Sequence, residues 1–325
     1  MFFIKTTKFA KTLSLKTFNS INSFYSFKKT IVTIGTFDGV HVGHRQILQK
    51  IVADAKLLHC ESVVLTFFPH PRMILQDNAE FKLLNTIAEK STLLEEIGID
   101  NLIIHPFDKE FSILTAEEFV KTILVEKFNI QKIIIGHDHR FGKNRSATID
   151  DLLVFGNQFG FEVEQISVEE INEIAISSTK IRTALNNGTI KLANQYLGYN
   201  YFFTGKVVKG NQLGRTIGFP TANIQIEEEY KLIPKNGVYI VNCTIKNRLV
   251  FGLMNIGNRP TINGINQTIE VYFLDFDNEI YDCILKIEIL DYIREEQKFN
   301  SLNDLKIQIE SDKQTALYYK KNTAL

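Results

Sequence analysis

The stretch Ile31-Val-Thr-Ile-Gly-Thr-Phe-Asp-Gly-Val-His-Val-Gly-His44 constrains this chain more than any other. Its first part, Thr30–Ile34, is β-branched and lacks polar alternation, so it reads as a strand buried on both faces. Gly35 ends the strand. From His44 onward, Ile47, Leu48, Ile51, Val52, Ala55 and Leu58 fall on one helical face. A buried strand, a glycine turn and an amphipathic helix form the unit from which parallel α/β sheets are built. The same turn suits an anion, because helix N-terminal N–H groups and the dipole favour phosphate. His41 and His44 lie three residues apart on one side of the first turn, where both can point at one phosphate. A zinc pair or two surface histidines are the plainer alternatives. Zinc-binding helices more often space their histidines by four and need further ligands.

The alternation continues along the first half. Residues 62–68 form a second buried strand, stopped by Pro69-His70-Pro71. Thr86-Ile-Ala-Glu89 is a capping box that opens a helix running to Gly98. Residues 101–104 form a strand. Thr115-Ala-Glu-Glu118 caps a helix with Phe119, Val120, Ile123 and Leu124 on its inner face. Residues 132–135 form a strand ending in Gly136, Thr148-Ile-Asp-Asp151 caps a helix to Gly160, and residues 161–166 form a further strand. Strands alternating with helices predict an α/β fold, a doubly wound parallel sheet with right-handed crossovers. Ligands of such sheets bind beyond the carboxyl ends of the strands. Three loops at those ends carry unusual chemistry: Phe68-Pro-His-Pro71, Gly136-His-Asp-His-Arg-Phe-Gly142 and Ile176-Ser-Ser-Thr-Lys-Ile-Arg182. Ser177 and Ser178 also read as helix caps, and Arg182 can reach a phosphate bidentately.

The character changes near Tyr199. Short strands follow at 202–208, 237–245, 249–256, 268–275 and 284–290, separated by turns such as Lys246-Asn-Arg and Asp277-Asn278. They predict a compact antiparallel barrel. A helix at about residues 301–319 ends the chain, with Ser301 as cap and Leu302, Leu305 and Ile309 as its stripe. Residues 189–200 read as a helix ending at Gly198, with no disordered linker. Within the second half, Lys209-Gly-Asn-Gln-Leu-Gly-Arg-Thr-Ile-Gly-Phe-Pro-Thr-Ala-Asn223 offers glycines for close phosphate approach and charge from Lys209 and Arg215. Thr221 and Asn223 offer oxygens suited to magnesium. A mobile hairpin is the plainer reading of such a loop.

The 325-residue length fits two domains. Lys plus Arg and Asp plus Glu balance at 37 each, so nothing favours nucleic acid or a membrane surface as partner. Cys60, Cys243 and Cys283 are odd in number and far apart, which points to a reducing, cytoplasmic setting. No apolar run reaches the membrane-spanning length of about 18 residues. The first 29 residues are rich in lysine and carry no acid. They read as an ordinary segment leading into the first strand, with a transit peptide as the alternative.

The opening stretch, with its Phe-Asp-Gly and His-x-Gly-His, resembles the nucleotidyltransferase signature. It lacks the three glycines of a dinucleotide fingerprint and the Gly-Lys-Ser/Thr of a P-loop. Together with Phe-Phe-Pro-His-Pro, Gly-His-Asp-His-Arg-Phe-Gly and Ile-Ser-Ser-Thr-Lys-Ile-Arg, it is similar to the adenylyltransferase half of the prokaryotic bifunctional riboflavin kinase/FAD synthetases. The glycine loop is similar to the riboflavin kinase signature. Asn255-Ile-Gly-Asn-Arg-Pro-Thr261, Glu270-Val-Tyr-Phe-Leu-Asp-Phe276 and Ile293-Arg-Glu-Glu-Gln-Lys-Phe299 continue that likeness. The resemblance implies a Rossmann-like adenylyltransferase domain over residues 1–190 and a kinase barrel over residues 191–325. ATP would be bound by Gly35, Phe37, Asp38, His41, His44, Ser178, Thr179 and Arg182 in the first, and by Gly210, Gly214 and Arg215 in the second. Flavin would lie near Phe68, Pro69, His70, Pro71, Asp138 and Arg294. Glu270 would be the kinase base, Thr221 and Asn223 would hold Mg2+, and His41, His44 and Arg182 would serve adenylyl transfer. The substrates implied are riboflavin, FMN and ATP. The chain departs from the common pattern at His139, Tyr272 and Asp282. One active domain only, or a non-catalytic flavin sensor, are the competing readings.

Overall fold

A computed structural model describes residues 14–75, 81–136, 140–166, 176–210, 213–261 and 264–323. The chain divides into two compact units. One comprises Met1–Phe81 and Lys90–Ala175, the other Lys82–Glu89 and Ile176–Leu325.

The first unit is a six-stranded parallel sheet. Its strands are β1 (Lys16–Phe18), β2 (Thr30–Ile34), β3 (Glu61–Phe67), β4 (Asn101–His105), β5 (Ile130–Gly136) and β6 (Glu162–Ile166), in the order β1-β4-β3-β2-β5-β6. β2 is central and all five of its residues are buried, as its unbroken apolar run predicts. α1 (Val42–Leu57) packs against β2, β3 and β5. α2 (Pro71–Leu75) follows β3, and α3 (Ile87–Ile97) runs from the second unit's segment into the first unit. α4 (Lys109–Ser112) and α5 (Ala116–Glu118) precede a π-helical stretch, Phe119–Lys127. The four apolar residues expected on its inner face are all buried. α6 (Ile149–Phe159) completes the unit. The three predicted capping boxes form, at Thr86/Glu89, Thr115/Glu118 and Thr148/Asp151.

The second unit is a closed antiparallel barrel of β7 (Phe202–Val208), β8 (Ala222–Gln225), β9 (Gly237–Ile245), β10 (Arg248–Thr261), β11 (Gly264–Phe273) and β12 (Ile284–Arg294). Lys246 and Asn247 both take positive φ, the conformation a two-residue hairpin needs. α7 (Ser178–Asn186) and α8 (Ile190–Leu197) bury Ile181, Leu185, Ile190 and Leu197 in the same core as the barrel interior. The segment 82–89 joins that core through Leu84. α9 (Leu213–Thr216) lies in the glycine loop and α10 (Leu302–Thr323) ends the chain.

Sequence and structure differ in several places, among them Leu58, expected on the apolar face of α1 but found exposed as its C-cap. β1 and β8 were not expected, being only three and four residues long, the first opening on a lysine and the second following Pro220. His41 is the N-cap of α1 instead of part of its first turn. Leu302 is exposed, and the inner face of α10 runs through Leu305, Ile309, Asp312 and Ala316. Residues 14–29 join the fold through β1 and the buried Phe24, whereas the first thirteen lie outside the described residues.

Candidate active sites

In the first unit, β2 delivers the chain to a contorted turn. Phe37, Gly39 and Val40 all have positive φ, a costly conformation for a β-branched residue and one that recurs at functional sites. Gly35 lets the Phe37 ring lie against its Cα, since a Cβ there would meet Phe37 Cε2 at 3.1 Å. The Phe37 ring in turn meets His44 edge-on, with centroids 5.2 Å apart. His41 Nδ1 accepts a hydrogen bond from the His44 backbone N–H at 3.4 Å. The two imidazoles stack with centroids 3.6 Å apart and planes 18° apart. His44 Nδ1 is buried and has no hydrogen-bond partner among the described residues. Burial pushes His41 down to about 4 and holds His44 well below the ordinary histidine range, with the charges of His41 and Lys90 adding to the latter. Both rings are therefore neutral at pH 7, and their stacking carries no charge repulsion.

Sequence reasoning missed Lys90. It stands on α3 beside the capping Glu89, where it resembles any solvated helical lysine. Its side chain is in fact buried, and its Nζ donates to the Thr36 carbonyl at 2.7 Å. Asp38, also buried, raises the Lys90 pKa, but desolvation is larger and brings it down to about 8.

Beyond β3, His70 is buried and its Nδ1 accepts the Arg72 backbone N–H at 3.1 Å, while Phe68, Pro69 and Pro71 are half-buried. His70 also faces Phe81 at 5.0 Å. Phe67, Phe107 and Phe111 form a cluster of ring contacts at the ends of β3 and β4, which no sequence period signals. Asp138 and His139 lie outside the described residues.

In the second unit, Ser177 caps α7 by accepting the Lys180 N–H at 3.3 Å. Ser178 is half-buried, Thr179 is exposed, and Arg182 Nε donates to the Lys82 carbonyl at 3.0 Å.

The barrel gathers most of the other group. Ile269, Val271 and Phe273 point into the core, so Glu270 projects from the outer face. Register places Glu270 directly opposite Asn223 on β8 and Asn255 on β10. Thr221 Oγ1 donates to Glu270 Oε2 at 3.1 Å. A Cβ on Gly210 would stand 2.1 Å from Asn223 Nδ2, and one on Gly214 would stand 2.2 Å from the Phe219 carbonyl oxygen. Gly210 lets the loop lie against the Asn223 side chain on β8, and Gly214 lies against the backbone at Phe219, where a larger residue would clash. Phe219 meets Tyr272 edge-on at 5.3 Å. Arg215 is exposed. Arg294 is committed elsewhere: Nε and Nη2 donate to the buried Asp312 of α10, the latter at 2.8 Å, and Nη1 to the Glu295 carbonyl.

Thr221 and Asn223 supply hard oxygen donors, which fit a magnesium ion shared with substrate phosphates. Among the described residues no three His, Cys, Asp or Glu side chains form a metal cluster of their own.

A family model described as FAD synthetase matches residues 25–180, and one described as riboflavin kinase matches residues 197–320. A bifunctional riboflavin kinase/FMN adenylyltransferase of Haemophilus influenzae is 40% identical over 287 residues, 88% of this chain and 92% of that protein. Its namesakes in Escherichia coli and Bacillus subtilis are 36% and 37% identical over 88% and 90% of this chain, and 91% and 93% of their own lengths. A crystal structure from Streptococcus pneumoniae, described as a macrolide-efflux protein, is 30% identical with a TM-score of 0.85, covering 93% of this chain and 98% of its own. Among the described residues of this chain, no helix is long and apolar enough to cross a membrane.

Proposed function

The chain belongs to the bifunctional riboflavin kinase/FMN adenylyltransferase family, and from that membership we propose a residue assignment for each of its two reactions. It is a transferase that phosphorylates riboflavin to FMN and then adenylylates FMN to FAD, with ATP as substrate of both steps.

In the kinase step the terminal ribityl oxygen forms a bond to the γ-phosphorus of ATP, and ADP leaves. We assign the displaced hydroxyl proton to Glu270, whose carboxylate is oriented by the Thr221 hydroxyl. Gly210 and Gly214 give the phosphates a close backbone, and Arg215 adds charge at the rim. Magnesium held by Thr221 and Asn223 would neutralise phosphate charge. The observation that carries this reading is the convergence of Thr221, Asn223, Glu270 and Gly210 from three separate chain segments.

In the adenylyl step an FMN phosphate oxygen bonds to the α-phosphorus of ATP and pyrophosphate leaves. Phosphate oxygen needs no base, so the task is alignment and charge stabilisation. The stacked His41 and His44, beside Gly35, Phe37 and Asp38, suit that task. Ser178, Thr179 and Arg182 are assigned to ATP by the resemblance of their motif. Phe68, Pro69, His70, Pro71 and Asp138 are assigned to flavin in the same way, with Phe67, Phe107 and Phe111 as an adjoining aromatic surface. Arg294 is better read as the residue that fastens α10 to the end of β12.

We divide the activities at residues 190/191. Three widely spaced free cysteines support a reducing, cytoplasmic setting. The test is chromatography of an incubation with riboflavin, ATP and magnesium. FMN followed by FAD is expected. If neither appears, the assignment fails.

A further inference from the structure

Two side chains converge on a single backbone atom of the opening turn. Lys90 Nζ donates to the Thr36 carbonyl oxygen at 2.7 Å, and Thr66 Oγ1 donates to the same oxygen at 3.2 Å. Lys90 Nζ and Thr66 Oγ1 are themselves 3.5 Å apart. Thr66 belongs to β3 and Lys90 to α3, so the turn leaving β2 is held from two neighbouring elements. Lys90 is only 3% exposed and Asp38 only 1%. A buried ammonium is costly unless it is paired and hydrogen-bonded, so its retention here needs a reason.

We propose that Lys90 is a positioning residue for adenylyl transfer. It fixes the Gly35–Asp38 turn through the Thr36 carbonyl, and with it the backbone that leads to His41 and His44. The proposal rests on placing adenylyl transfer at His41 and His44. Its ammonium donates to the turn, and it acts through the backbone that carries Phe37 and Asp38. The charged and titratable groups that bear on this device are His41 and Lys90 acting on His44, and Asp38 acting on Lys90.

The test uses the full chain and follows FMN adenylylation against pH, with FMN formation from riboflavin as the internal check on folding. Lys90→Met removes both charge and hydrogen bond. Lys90→Gln keeps a donor but no charge. Turnover is expected to fall about 10- to 100-fold in Lys90→Met, the range for a lost charged hydrogen bond, and less in Lys90→Gln. Lys90 is pushed down to about 8 by burial, so the wild-type rate is expected to fall on an alkaline limb near that pH. Both variants should lack the limb. A purely space-filling lysine would lower the rate without moving the limb, and that outcome overturns the proposal. So does a wild-type profile that stays flat from neutral pH to well above 8, which needs no variant at all. His44→Ala separates the two readings. Loss of adenylylation in His44→Ala with none in Lys90→Met rejects the role of Lys90 alone. No loss in His44→Ala rejects the site itself.

Discussion

The imidazoles of His41 and His44 stack at 3.6 Å, although the two residues occupy different roles in the backbone. His41 is the N-cap of α1 and His44 donates the capped N–H, so one hydrogen bond sets both the helix start and the ring pairing. This arrangement is suited to gather negative charge at a helix N-terminus.

Removing one member should therefore separate the two activities. His44→Ala is expected to lower FAD formation from FMN by about 10²- to 10³-fold, the usual loss for one preorganised charge stabiliser. FMN formation from riboflavin should be unchanged. Product chromatography with each substrate supplied separately checks this, and equal loss of both activities counts against separate sites.

The reciprocal variant is Glu270→Gln. It keeps the hydrogen bond to Thr221 and removes the base. FMN formation should drop by about 10²- to 10⁴-fold, while supplied FMN is still converted to FAD. A kinase rate that survives the change would move the base elsewhere.

Gly210→Ala tests the loop's approach to β8. The new methyl would stand 2.1 Å from Asn223 Nδ2 and must displace it. Displacement on the 1 Å scale costs about 10²-fold in rate, so FMN formation should fall to that extent and the magnesium requirement should rise. A magnesium titration of the kinase rate reads both effects.

The histidine pair also makes the first unit acid-sensitive. His41 ordinarily titrates at 6.5 and is lowered by burial to about 4. Below 6.5 the unfolded chain binds a proton that the folded chain refuses. The stability is thus fully present above the unfolded pKa and is lost as pH falls toward 4, by on the order of 3 kcal/mol. Thermal melts between pH 7 and pH 5 should show a falling Tm, with a shallower slope in His41→Asn. Parallel slopes would remove His41 as the cause.

A second buried charge stabilises the barrel unit. Lys231 Nζ meets Glu89 Oε2 at 2.6 Å and donates also to the Leu84 and Phe202 carbonyls. Glu89 accepts the Thr86 and Thr204 N–H groups as well. Glu89→Ala leaves the ammonium buried without its counter-ion and should cost about 3–5 kcal/mol, whereas pairing it with Lys231→Met should recover much of that loss. Urea unfolding of the wild type, Glu89→Ala and the double variant measures the difference.

Local pattern carried much of this architecture. Unbroken β-branched runs marked β2 and β3, and the Thr86, Thr115 and Thr148 capping boxes marked helix starts. Alternation on β11 revealed that Glu270 faces outward. The rest depends on long-range partners. β8 becomes a strand only because β7 and β11 flank it, and its four residues follow a proline. Lys90 and Thr36 are 54 residues apart, and Glu89 and Lys231 are 142 apart. Adjacent in sequence, Glu89 and Lys90 look like a solvated pair on a helix; folded, they serve different units.

The segment 82–89 contributes Leu84 and Glu89 to the barrel unit although the chain then returns to the first unit. Exchange of kinase halves between relatives is constrained accordingly. A single crossover near residue 176 takes Lys231 from one parent and residue 89 from the other. A second, short insert of residues 82–89 from the same parent keeps that buried pair together, across eight residues far upstream of the junction.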